Sequence, residues 1–195
     1  MRQDKFYILI LIISATIFTS NHLKAQKTNE KFINNRSLGG FISTGIPFYT
    51  LEEGTRYNPI IIGAAYRLPF YSTSGKFNIG LGLLPQIGLV PYSSAVEYEF
   101  GLNITFILSF ELSENDIFSI NLGTGPHYIT ASINRQASGF IFSDHLNFAY
   151  RHRYNQLEFG ITAGIRHISN AGFEEPNLGI EDLGIGISVS KLLVR

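Results

Sequence analysis

The chain has 195 residues, room for one domain. Its 15 basic and 15 acidic residues cancel, so nothing in the charge balance points to a nucleic-acid partner. Cysteine is absent, which excludes disulfides, thiolate catalysis, cysteine metal sites and a lipoprotein-type cysteine anchor; 19 Gly, 16 Phe and 10 Tyr against one Met fit closely packed strands better than helices.

The N-terminus reads as a secretory signal over residues 1–25. Arg2 and Lys5 open it, and Phe6 to Phe18 is apolar except for Ser14 and Thr16. This run is shorter than the roughly 20 apolar residues a spanning helix needs. Cleavage is expected after Ala25, with an uncleaved anchor as the alternative. Residues 26–35 form a polar N-terminal segment, and 36–195 carry the folded body. No later stretch can be a membrane helix, because Gly, Asn, Arg or Pro interrupts every candidate.

From residue 37 onward the hydrophobic pattern has period two, the mark of strands with two unlike faces. Eight strands are predicted: Ser37–Gly45, Pro59–Phe70, Lys76–Leu89, Tyr98–Leu112, Asp116–Tyr128, Phe140–His152, Gln156–Ser169 and Glu181–Leu193. The fourth alternates Phe100, Leu102, Ile104, Phe106 and Leu108 with Gly101, Asn103, Thr105 and Ser109. The sixth sets Phe142, Leu146, Phe148 and Tyr150 against Ser143, His145, Asn147 and Arg151. The seventh sets Leu157, Phe159, Ile161, Ala163 and Ile165 against Glu158, Gly160, Thr162, Gly164 and Arg166.

The non-apolar face is rich in Gly, Ser, Thr and Asn, with few mid-strand charges. That composition suits the packed polar interior of a small barrel, with the apolar face turned to hydrocarbon. Strands of about 9–11 residues cross a bilayer when tilted, whereas soluble sheets favour about 5–6. The expected fold is therefore all-β, an eight-stranded antiparallel transmembrane β-barrel of the bacterial outer membrane. Short links at 72–75, 113–115 and 154–155 alternate with long ones near 47–58, 129–139 and 170–180; the link at 90–97 is shorter than its class. With both termini periplasmic, the long loops lie outside the cell. Tyr66, Tyr71, Tyr92, Tyr98, Tyr128, Tyr150 and Tyr154 fit interfacial girdles, and ordinary strand composition accounts for many of them equally.

His167 and Ser169 are two apart on the seventh strand and so share its apolar face. A serine becomes nucleophilic when a base takes its proton; histidine is the usual base, and a carboxylate commonly fixes its tautomer. Glu181 opens the eighth strand with the parity of Leu183, Ile185 and Ile187. Antiparallel pairing of the two strands brings it beside the end of the seventh, near His167. A base, a hydroxyl and an acid on a lipid-facing strip point to ester chemistry on a lipid. The remaining strand histidines, His127, His145 and His152, are scattered without ligand spacing, and no metal site or cofactor is expected.

The stretch Arg166-His167-Ile168-Ser169-Asn170-Ala171-Gly172, followed by Pro176-Asn177 and Gly179-Ile180-Glu181, resembles the signature of the PagL-type lipid A 3-O-deacylases. The resemblance covers roughly residues 160–190; elsewhere only the barrel pattern is shared. It implies an outer-membrane barrel with its chemistry on the outer wall. Ser169 would be nucleophile, His167 base and Glu181 orienting acid, with Asn177 and backbone amides near Asn170, Ala171 and Gly172 stabilising the oxyanion. The substrate implied is lipid A within lipopolysaccharide, the other partners outer-membrane lipids, and a homodimer is compatible with such a barrel. The chain departs from the family in ending Leu193-Val194-Arg195 in place of an aromatic residue. The rival readings are a non-catalytic barrel of the OmpA or OmpX kind, an outer-membrane phospholipase, and a lipid A palmitoyl-transferase-like barrel.

Overall fold

The computed structural model describes residues 34–48, 57–73, 76–92 and 95–193. The predicted signal segment, most of the polar segment 26–35 and the last two residues lie outside the described residues. Eight strands run in chain order: β1 (Arg36–Pro47), β2 (Ile60–Ser72), β3 (Phe77–Tyr92), β4 (Ala95–Glu111), β5 (Asp116–Ile129), β6 (Gly139–Tyr154), β7 (Leu157–Ser169) and β8 (Ile180–Leu193). Each pairs antiparallel with the next, and β1 closes on β8 from Arg36 opposite Leu193 to Pro47 opposite Asp182. Closure leaves no open edge, as a sheet in hydrocarbon requires.

The alternation sets the two faces. On β7 and β8 the outward residues Ile161, Ile165, Leu183, Ile185 and Ile187 are exposed, while Glu158, Arg166, Asp182 and Ser190 between them are buried inside. The expected loop at 90–97 is instead a hairpin. β3 runs on to Tyr92 and β4 begins at Ala95, with Val90 opposite Glu97 and Pro91 opposite Val96. Pro91 and the serines after it punctuate the sequence, yet a proline removes only one donor and need not end a ladder where that donor has no partner.

The interior holds more charge than the alternation suggested. Near the loop end, Arg166 Nη2 donates to both Glu99 oxygens at 2.8 and 2.6 Å, and its Nε donates to Ser143 Oγ at 3.2 Å. Tyr57 OH donates to Glu99 Oε2 at 2.6 Å, and His127 Nδ1 lies 2.7 Å from Oε1. Burial, then the Glu99 carboxylate, push the Tyr57 phenol well above its ordinary value. Above this layer Val90, Ile129, Ile133, Ile141, Ile168 and Ile180 form an apolar plug. Near the turn end, Glu158 accepts from Arg67 at 2.6 Å and from Arg151 at 3.2 Å. A cavity of about 140 Å³, lined in part by Asn103, Thr105, Asn121 and Asn147, lies between the layers.

These long interior groups fit because glycines face them. A Cβ on Gly101 would lie 2.2 Å from His127 Cδ2, and one on Gly123 would lie 2.4 Å from His145 Cε1. His145 Nε2 in turn meets Thr105 Oγ1 at 3.2 Å.

Removing one partner of a buried ion pair strands the other charge, at a cost of about 3–5 kcal/mol. Glu99→Ala is expected to lower barrel stability by about that amount, read as an earlier midpoint in guanidinium unfolding of the micelle-bound protein.

Candidate active site

β7 and β8 together position the predicted residues. His167 and Glu181 are direct partners across the β7–β8 ladder, both on the outer face. His167 Nδ1 lies 3.0 Å from Glu181 Oε1. With Nδ1 protonated, the ring donates to that carboxylate and leaves Nε2 for another proton. Ser169 ends β7 on the same face, opposite Phe142 of β6. Its hydroxyl makes no hydrogen bond among the described residues, and a serine–imidazole bond often tightens only when substrate is present. The structure thus brings His167 and Glu181 into contact and sets Ser169 beside them.

The loop after β7 is a tight turn. Phe173 N–H donates to Asn170 O at 3.2 Å, and the two central residues are left-handed, Ala171 at φ 56° and Gly172 at φ 85°. Such a pair is the mark of a type I′ turn. The buried Asn170 knits it together. Its Nδ2 donates to Glu174 O at 2.6 Å, and its Oδ1 accepts from Gly172 N–H at 3.0 Å. Asn177 returns across the loop, its Oδ1 accepting Asn170 N–H at 2.9 Å. Of the expected oxyanion donors, the amides of Asn170 and Gly172 are therefore engaged within the loop. Ala171 N–H and Asn177 Nδ2 have no acceptor among the described residues.

A neighbouring loop braces this one, a role no local motif announced. Ala137 N–H donates to Pro176 O and Leu178 N–H to Arg135 O, each at 2.8 Å. Arg135 Nε donates to Gly179 O at 3.0 Å and its Nη2 to Leu178 O at 3.3 Å. Gly179, at φ +72°, lies under the imidazole: a Cβ there would sit 2.6 Å from His167 Cε1. Its place two residues before Glu181 is the one hint in the sequence; contact with the ring follows only from the fold.

The wall beside the site is aromatic on one side. Phe140 meets Phe142 edge-on at 5.1 Å between centroids and Phe173 at 6.2 Å. Inside, Arg166 and Ile168 hold the same strand through the Glu99 ion pair and the apolar plug.

A closed up-and-down barrel with an apolar outer wall and a polar interior defines an outer-membrane β-barrel. The family described as lipid A 3-O-deacylase (PagL) matches residues 60–190, and the chain belongs to it. Its members are hydrolases acting on lipid A esters. The crystal structure of the outer membrane enzyme PagL matches with a TM-score of 0.64 at 15% identity, covering 77% of this chain and 97% of that one. The backbone structure of the Yersinia pestis outer membrane protein Ail in a phospholipid bilayer nanodisc matches with a TM-score of 0.35 at 14% identity, covering 77% and 98%. No curated protein matches the chain in sequence. The first structural likeness speaks for the fold; the family membership comes from the sequence.

A methyl at residue 179 must displace the imidazole, and a displacement of about 1 Å costs about 100-fold in rate where the displaced group takes part in the reaction. Gly179→Ala is expected to lower lipid A deacylation by about that factor while the barrel still folds, measured by turnover on purified lipid A with a heat-modifiable gel shift as the folding control.

Proposed function

We propose that this protein hydrolyses the 3-O-linked acyl chain of lipid A through a Ser169–His167–Glu181 triad on its lipid-facing wall. The observation that carries this reading is the His167–Glu181 hydrogen bond on an otherwise apolar face, beside Ser169. Acyl chains would lie along Ile161, Ile165, Leu183 and Ile185, each exposed on the wall below the site. Burying apolar chain against apolar wall leaves the ester at the level of the polar residues.

Ser169 Oγ attacks the ester carbonyl while His167 Nε2 takes its proton. Glu181 holds the ring through Nδ1 and balances the imidazolium that forms. The carbonyl oxygen becomes an oxyanion facing Ala171 N–H and Asn177 Nδ2, the donors left over after the loop's own bonds are made. Collapse expels the sugar 3-hydroxyl, which takes the proton from Nε2. Water, deprotonated by the same nitrogen, then attacks the acyl-serine. The fatty acid is released and Ser169 is restored. In the cell the signal would be removed after Ala25 and the long loops would face outward, placing the site at the outer leaflet where lipid A resides.

Mass spectrometry of lipid A from cells expressing the wild type or Ser169→Ala tests the reading. Loss of one 3-hydroxyacyl mass with the wild type alone is expected; equal loss with both would remove Ser169 from the mechanism. Losing one triad member costs on the order of 10⁴-fold. His167→Asn and Glu181→Gln are expected to reduce turnover on purified lipid A, the histidine change more severely. Asn177→Ala should cost about 10²–10³-fold in kcat, as for loss of one oxyanion donor.

A further inference from the structure

His167 has a second carboxylate on its other side. Asp144 of β6 is its direct partner across the β6–β7 ladder, as Glu181 is across the β7–β8 ladder. Partners facing each other in an antiparallel pair have Cβ atoms about 4.5–5.5 Å apart. Asp144 lies on the outward parity of β6, where Phe140, Leu146, Phe148 and Tyr150 are exposed, and it interrupts that apolar series. A charge on the lipid face of a barrel is costly, and an ionisable group in such a place is a functional candidate by default. Asp144 has no ion-pair partner among the described residues. Its Oδ1 accepts the hydroxyl of Thr124 on β5 at 2.5 Å. A transverse polar row thus crosses four strands at one level: Thr124, Asp144, His167, Glu181.

We propose that Asp144 is a positioning residue of the deacylase site, an outlying carboxylate that stabilises the His167 imidazolium from the side opposite Glu181. This rests on the triad reading given above. Glu181 grips Nδ1 directly and fixes the tautomer. Asp144 is held off by its Thr124 bond and acts through its field. That field reaches far, because low-dielectric hydrocarbon and aromatic rings surround the row. The imidazolium exists only once Ser169 has lost its proton, so the stabilisation falls on the transition state and appears in kcat.

The test is steady-state kinetics on purified lipid A in mixed micelles, with wild type, Asp144→Asn, Asp144→Glu and Asp144→Leu. Loss of an opposite charge that faces the imidazolium across the ladder raises the barrier to the charged transition state, by about tenfold or more in rate. Asp144→Asn should therefore lower kcat about tenfold or more with KM unchanged. Asp144→Glu, which keeps the charge, should stay within about threefold of wild type. Asp144→Leu should lose kcat as Asn does, yet unfold at the same or higher denaturant, since a lipid-facing charge has been removed.

Unchanged kcat in the Asn variant overturns the inference. So does a rise in KM at constant kcat, which would make Asp144 a substrate contact. A loss that Glu does not restore, or a Leu barrel that unfolds earlier, would make it a structural group and also overturn the inference. Absence of deacylation by the wild type would instead remove the triad reading itself, so the two failures are distinguishable.

Discussion

The molecule depends first on the hydrogen-bond balance of a backbone in hydrocarbon. Lipid offers no partner for an unpaired N–H or C=O, so every strand must be paired on both edges and the sheet must close. The β1–β8 ladder, unbroken from Arg36 to Pro47, provides that closure. Once the sheet is closed, pleating does the rest: odd and even residues of each strand belong to different solvents. Glycine, serine and asparagine fill the inside, and the few buried charges are tied to one another. Arg166 with Glu99, and Arg67 and Arg151 with Glu158, tie β7 to β4, β2 and β6 across or along the interior.

The candidate site stands on the outer wall and not in the interior cavity. A site on the outer wall must be assembled from residues of like parity on adjacent strands, held at one height by register. That is how His167 and Glu181 come into contact: neither is close to the other in sequence, but one ladder rung joins them. The wall is a rigid support because its reverse side is fastened. Ile168 and Ile180 lie in the apolar plug directly behind the outward residues, and Arg166 is locked to Glu99. The loops complete the arrangement from above, with Arg135 donating to the carbonyls of Leu178 and of Gly179, the glycine that lies against the imidazole.

Polar groups on a lipid-facing surface raise the question of how they are tolerated. The row from Thr124 to Glu181 lies near the loop end of the barrel, and its members satisfy one another in part: hydroxyl to carboxylate, imidazole to carboxylate. Beneath it the wall is uninterrupted hydrocarbon along Ile161, Ile185 and Ile187. The boundary between the two is where a lipid's acyl chains would meet its ester groups. A surface divided in this way matches the chemistry of the family to which the chain belongs.

Much of this was legible in the amino-acid order. Period-two alternation located all eight strands, with each boundary within three residues, because a strand at a lipid interface must alternate. The same parity put His167, Ser169 and Glu181 on one face. The end of the β3–β4 ladder is hidden in the sequence, since Pro91 imitates a loop while the ladder runs past it to Tyr92 opposite Ala95. Asp144 breaks the apolar series of its strand, but its alignment with His167 is not legible in the order of residues. The order of residues alone settles which side chains face outward and which inward, a property local to each strand. The tertiary structure alone decided which residues share a rung: Asp144 with His167, Arg166 with Glu99, Arg135 with Gly179. Register and loop packing are contacts between distant segments, set by closure of the whole barrel, and no single strand encodes them.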